Sequence, residues 1–514
     1  MKRITATALV LCLLAGILSG CNKAPDAHIP TGDGLTWDQG ETAPVVQTRP
    51  QQEMQDLMLT CYPERSMNPY NCADFTNRTL FSLLYQGLFS VDRDYHTEPV
   101  LCRRFVVSED MRSYTFYVEN ATFSDGSALN ATDVAASLLA AKESVVYSGR
   151  FLHIQEISVT PDGGVLVQTD VACENLPMLL DIPIVKAAQT QEASPAGTGP
   201  YYMESTPSGL WLQRRTDWWC KAELPITAAS IPLIAAQSTT QIRDNFEFAG
   251  LSLVCADPGS DRYADFRCDY ELWDCENGIF LYLACNMESE VFSLPEVRAA
   301  LTFAIDRDTI AENFYRGFAR TATLPASPLF PYYSKTLADQ YGYDGAKFAQ
   351  AVADAQQQNA PVVLLVNRED TLRLRVARRI AEMLTQGGLA VTTSELTGQA
   401  YQKALRNKEY DLYLGQTKLS PNMDLSAFFA SNGALSYGGI NDIATYALCQ
   451  ESLANHGNYY TLHRSVMENG LLCPILFRSY AVYTTRGLIS ALEPSRDNVF
   501  YYSLGRTMDD AMEN

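Results

Sequence analysis

Lys418, Asn422 and Asp424 stand close together in "TKLSPNMDLSAFF" (417–429), which places a cation, an amide and a carboxylate in one short stretch. Such a set binds by charge and hydrogen bonds and holds no nucleophile–base pair. The rest of the chain adds no catalytic pattern, since GxSxG, HExxH and P-loop sequences are absent. The five histidines, at 28, 96, 153, 456 and 463, form no ligand-spaced cluster, and there is no CxxC. A zinc site is therefore not expected, and neither is another metal or a cofactor. No catalytic pattern therefore stands out in the sequence.

The stretch needs elements to position it. "PVVLLVN" (361–367) reads as a buried strand and "TLRLRVARRIAEMLTQGG" as an amphipathic helix. Leu374, Ala377, Ala381 and Leu384 share one face of that helix, and Gly387-Gly388 ends it. "LAVTTSEL" is a strand, "GQAYQKALRN" a short helix and "YDLYLGQT" (410–417) a strand again. Alternating strands and helices predict an α/β part with a largely parallel sheet. Ligands of such sheets sit beyond the carboxyl ends of the strands, which points to the segment after Gln416.

The earlier part is richer in strands. Tyr114, Phe116 and Val118 alternate, and Ser124-Asp125-Gly126-Ser127 forms a turn. Asn130 then caps a helix with Asp133 in its first turn and Val134, Leu138 and Leu139 on its apolar face. "GGVLVQTD" and "LWLQRR" read as strands. Between the parts, Ser293 and Glu296 have capping-box spacing around Pro295, and Val297, Leu301, Ala304 and Ile305 line a helical face. Asp306 can cap the next helix.

Composition narrows the function further. The chain has 514 residues and a net charge of −20, which argues against nucleic-acid binding. Its length implies two or more domains. The chain opens Met1-Lys2-Arg3, followed by an apolar run from Ala8 to Leu18 that is too short to span a bilayer. Leu18-Ser19-Gly20-Cys21 resembles the lipobox of bacterial lipoproteins, which implies a signal peptide over 1–20 and lipid on Cys21. Residues 21–50, rich in Pro, Gly, Thr and Gln, read as a flexible tether. Of 13 cysteines, Cys12 leaves with the signal and Cys21 takes lipid, so an odd number remains. The spacings Cys61…Cys72 and Cys268…Cys275 permit disulfides without requiring them.

The order of several blocks carries a resemblance. "LLYQGLFSVDRDYHTEPVLCRRFVVSEDMRSYTFYV", "ATFSDGSALNATDV", "GTGPYYM", "RRTDWWC", "YLACNMES", "VRAALTFAIDRDTI" and "YDGAKFAQAVADA" follow one another as in the extracytoplasmic solute-binding proteins of peptide-type ABC importers. The chain resembles this dipeptide/oligopeptide/nickel-binding family, known as family 5, from about residue 55 to about 505. The resemblance implies a two-lobed α/β fold of the periplasmic-binding-protein type II, with an extra subdomain in the first lobe. Lobe I would comprise 51–250, with its subdomain at about 75–190, and the return segment 481–514; lobe II would comprise 251–480. The implied protein is a lipid-anchored monomer on the extracytoplasmic face of the cell membrane. It would bind a peptide, or a non-peptide solute such as a nickel chelate, and deliver it to a permease and ATPase complex or sense it.

In the family an aspartate in the loop after a lobe II strand pairs with the peptide ammonium. Lining up "SAFF" puts Pro421 near that aspartate's place and Asp424 on a structural aspartate, so the ammonium partner is missing or shifted to Asp424. Asp424 then either caps "LSAFF" or meets ligand. Lys418 is a solvent-facing charge or a partner for an anionic group. By position in the family's cleft, Asn68, Tyr70, Tyr85, Tyr201 and Asn286 are further ligand candidates, each with a core role as the alternative.

Overall fold

The computed structural model describes residues 57–260, 266–489, 491–496 and 498–513. The signal, Cys21 and the tether lie outside the described residues.

Local rules shape the first part. Tyr114 and Phe116 point inward from the strand Ser113–Val118, and Gly126 takes the left-handed turn position at φ +83°. Asn130 and Asp133 close a reciprocal capping box on the helix Ala131–Lys142. Val134 and Leu138 are buried, but Leu139 is 47% exposed, because it falls beside the buried stripe rather than on it. Leu59–Cys61, Ser230–Ala235, Gly209–Arg214 and Tyr201–Thr206 form a four-stranded sheet. A five-stranded sheet runs in the order Met512–Glu513, Cys102–Val107, Ser113–Val118, Val165–Thr169, Ile154–Val159. The chain's last strand thus pairs, in parallel, with Phe105 and Val106 near its start.

The stretch "VFYYSL" (499–504) is not a strand. Val499 and Phe500 are buried in the same core as Phe89 and Phe105. Instead of a ladder partner, the Leu504 N–H donates to Glu98 Oε1 at 2.5 Å and the Ser503 hydroxyl to Oε2 at 2.7 Å. One buried carboxylate thus satisfies a backbone N–H that a strand ladder would otherwise have taken up.

The largest sheet has Leu253–Ala256 at one edge, then Cys473–Thr485, Tyr270–Cys285, Leu412–Lys418, Pro361–Asn367 and Ala390–Leu396, with Ala319–Thr321 also on Cys473–Thr485. The expected helix forms over Thr371–Gln386. Its neighbouring strands 412–418, 361–367 and 390–396 are parallel, as helical crossovers require. The remaining pairings are antiparallel, so the sheet is mixed rather than largely parallel. The difference arises because the strands 270–285 and 473–485 enter from outside the strand–helix alternation.

Those two strands also thread more than one core. On 270–285, Phe280 and Tyr282 enter one hydrophobic core, Leu281 and Leu283 another, and Cys275 joins the core of the first part. Val482, on the other long strand, joins that same first core, whereas Ile475 and Leu476 do not. The register between the two strands shifts between Glu276 and Phe280, around Gly278 at φ +72°.

Two smaller expectations also differ. Ser293 does not cap the helix Pro295–Ala300; Leu294 is the residue before Pro295, and the Ser293 hydroxyl turns back to Glu290 O at 3.2 Å. Asp306 does cap Arg307–Tyr315. The eleven described cysteines, Cys61, Cys72, Cys268 and Cys275 among them, are free thiols.

Candidate functional site

The loop after the strand Leu412–Lys418 is held on several sides. The Asp424 carboxylate accepts from the Ser426 N–H at 2.8 Å and lies 3.4 Å from His153 Nε2, a charge contact longer than a good hydrogen bond. The other ring nitrogen of His153 is 2.9 Å from Asp170. Burial works to lower the His153 pKa, but the two carboxylates outweigh it and raise it. Burial likewise works to raise Asp424, and His153 and Ser426 reverse that. Asn422 donates to Asn175 at 3.4 Å, and its carbonyl accepts from the Tyr459 hydroxyl at 2.6 Å. Lys418 is exposed at the strand's end.

The other candidates are placed inside the walls. Asn68 is fully buried and donates to Thr190 O and Glu192 O at 2.9 and 2.7 Å. The Tyr70, Tyr85 and Tyr201 hydroxyls donate to Pro183 O, Met67 O and Ala228 O at 2.8, 2.9 and 2.7 Å. Asn286 donates to Tyr410 O at 3.0 Å. Each of these side chains fastens a backbone carbonyl; Tyr85 also edges a cavity, and Tyr85 and Tyr201 together line a second one of about 280 Å³.

The first cavity, of about 90 Å³, lies where three segments meet: the short helix Phe75–Arg78 with the chain after it, the stretch 147–183, and the C-terminal return at 495–502. Arg78, Gln86, Arg150, Asp181, Arg496 and Tyr502 supply its polar lining. Gln86 is fixed at both ends: Trp219 Nε1 donates to its oxygen at 2.8 Å, and its nitrogen donates to the Tyr502 hydroxyl at 3.0 Å. Arg150 pairs with Asp181 and donates to Leu179 O at 3.3 Å. Arg496 reaches the loop after the strand 412–418, donating to Leu419 O at 2.9 Å, and contacts the Tyr95 hydroxyl at 3.3 Å. Tyr95 in turn donates to Glu276 at 2.6 Å. Burial pushes the Glu276 pKa up, against the opposing pull of Tyr95, Ser327, Arg320 and Arg496. A side chain at Gly278 would bring a Cβ within 2.6 Å of the Arg496 guanidinium, so glycine serves both the backbone angle and this approach. A larger space of about 430 Å³ lies beside the start of the Phe75–Arg78 helix, lined by Tyr62, Asp74, Phe75, Gln237 and Asp257.

Arg150, His153, Arg496 and Tyr502 carry no signal in sequence spacing, because their partners are far away along the chain. Among the described residues, no cluster of three or more His, Cys, Asp or Glu could hold a metal, and no helix is long and apolar enough to cross a membrane.

The α/β body thus has a polar cavity where three of its segments meet. The chain belongs to the bacterial extracellular solute-binding proteins of family 5, whose middle region matches residues 96–436. It is 23% identical over 398 residues to the glutathione-binding protein GsiB of Escherichia coli K12, covering 72% of this chain and 73% of that one. The ABC transporter substrate-binding protein CtaP of Listeria monocytogenes superposes with a TM-score of 0.69 at 16% identity, over 86% of this chain and 97% of that one. The oligopeptide-binding protein AppA of Bacillus subtilis, solved with a nonapeptide, gives 0.61 at 18% identity, over 89% and 100%.

Proposed function

We propose that the chain is the membrane-tethered capture component of an ABC importer. It takes a short peptide or peptide-like solute between its lobes and delivers it to the permease. The observation that carries this reading is the polar cavity beside strands that thread several cores, an arrangement able to close on a solute and reopen. The ligands named for its relatives, glutathione for GsiB and a nonapeptide for AppA, favour a peptide-like solute.

Lobe I is then 51–250 with its subdomain at about 75–190, completed by 481–514, and lobe II is 251–480; burial of Val499 and Phe500 beside Phe89 supports that return. Tyr85 and the exposed Lys418 stay candidates for touching ligand. Asn68, Tyr70, Tyr201, Asn286, Asn422 and Asp424 act by holding the walls in place. Cys21 carries the lipid, and the protein works as a monomer.

A thermal-shift screen tests the reading with short peptides, their N-acetylated forms, glutathione, free amino acids, and nickel with or without histidine. A binder of the folded state raises the melting temperature by mass action. Peptides should do so, including N-acetylated ones, and the best should compact the protein in small-angle scattering. A shift with nickel–histidine alone would replace the peptide reading.

A further inference from the structure

We infer that His153 is a proton-operated latch between the lobes, holding them together when its ring is charged and letting them part when the ring is neutral. The inference rests on the lobe division proposed above, which puts 153–175 in the lobe I subdomain and 420–459 in lobe II. These two stretches meet along a seam. The Glu174 N–H donates to Leu453 O at 2.8 Å, and the Glu174 carboxylate accepts from the His456 N–H at 3.2 Å. Asn175 donates to the Tyr459 hydroxyl at 3.4 Å and accepts from Asn422 at 3.4 Å. The void left between the two sides is about 10 Å³, room for one water at most.

His153 is the titratable link across this seam. Its Nδ1 is 2.9 Å from Asp170, on its own side, and its Nε2 is 3.4 Å from Asp424, on the other. A neutral imidazole carries one N–H and one bare lone pair. Whichever nitrogen keeps the proton, the lone pair of the other faces a carboxylate. Only the imidazolium presents a donor to both. The shorter Asp170 contact favours the proton on Nδ1, so the Asp424 side is the one that changes with pH.

The groups around the ring leave this part to His153. Glu174 is engaged by His456, whose own pKa burial pulls down. Burial holds the Cys173 and Cys449 thiols and the Tyr446 hydroxyl above their ordinary values, so they stay neutral. Arg150 is paired with Asp181, and Lys142 donates to Ile154 O at 3.1 Å. Burial works to raise Asp424, yet His153 and Ser426 hold it below the usual carboxylate range, and it keeps its charge in mild acid. Burial lowers the His153 pKa and the two carboxylates more than reverse this. Closure is then favoured in acid and weakens as pH rises through that raised value.

Hydrogen exchange on the ligand-free full chain reads the seam, through peptides covering Glu174 and His456, and small-angle scattering reads the opening. Both would be followed from about pH 5 to about pH 9, with exchange corrected for its intrinsic rate. Protection of the two amides should fall about fivefold or more as pH rises, and the radius of gyration should grow with it. His153→Asn should show the low protection at every pH. Asp424→Asn keeps an acceptor for the Ser426 N–H and offers an amide donor to the neutral ring. It should therefore flatten or invert the pH dependence, which a loss of packing alone would not do. The melting temperature shows whether each variant folds. Constant protection in the wild type, a wild-type pH dependence in both variants, or a seam that loosens at a fixed radius overturns the latch. These readings need no ligand, so they stand apart from the peptide screen. A blank screen with a responsive seam would fail solute capture and keep the latch; a peptide shift with an unresponsive seam would do the reverse.

Discussion

His153 shows how one side chain can join distant segments. It meets Asp170 on its own stretch and Asp424 in the loop after the strand 412–418. Its raised pKa means that the folded state holds the proton more tightly than the unfolded chain does. The stabilisation is therefore complete below the ordinary histidine value and is lost as pH rises through the higher folded value. Asp424, lowered, adds stability above the ordinary carboxylate value that is lost as pH falls through its folded value. His153→Asn should cost about 1–3 kcal/mol at around pH 5.5, with the difference from wild type shrinking as pH rises past the raised folded value. Taking that difference matters, because burial holds His463 down at about 3 and gives acid an effect of the opposite sign. Urea denaturation of both proteins across this range is the check, and a pH-independent difference would rule out the charge contact. None of this was legible in the sequence: spacing finds histidines that meet on one element, and here the partner lies 271 residues away at Asp424.

At the scale of elements, the register shift at Gly278 sits where the strand 270–285 passes from one core to others. Gly278→Ala should be costly on two counts, the positive φ and the approach of Arg496. A loss of about 1–3 kcal/mol is expected in chemical denaturation, and a loss under about 0.5 kcal/mol would show that the strand relaxes around the methyl. Periodicity read the elements well where local rules govern. The stripe on 371–386 and the Asn130–Asp133 capping box formed as expected. Periodicity could not see pairing direction, because a strand's alternation is the same beside a parallel or an antiparallel neighbour. Nor does periodicity show that the apolar "VFYYSL" stays out of the sheets, where the Glu98 carboxylate rather than a ladder accepts from the Leu504 N–H.

For the whole molecule, the proposed lipid on Cys21 would decide how the protein reaches the membrane. Cys21→Ala should move the protein from the membrane fraction to the soluble extracellular or periplasmic fraction without changing its melting temperature. A variant that stays membrane-bound with an unchanged mature N-terminus would refute the anchor. The two-lobed fold was legible from the order of sequence blocks. The site was less so, because its polar groups come from residues far apart in the chain, such as Gln86, Arg150 and Arg496.

The free thiols have a consequence for how such a protein survives export. Eight of the eleven are buried, and Cys220, Cys255 and Cys268 are partly covered. Burial pushes Cys61 up to about 11, and Cys102, Cys173 and Cys220 up to about 12. Thiolate, the form that attacks disulfides and oxidants, is then scarce at neutral pH. The eleven described thiols are then most open to oxidants in the interval before the chain closes over its sulfurs. Secretion speed relative to folding, rather than the redox poise at the destination, becomes the quantity that selection can act on.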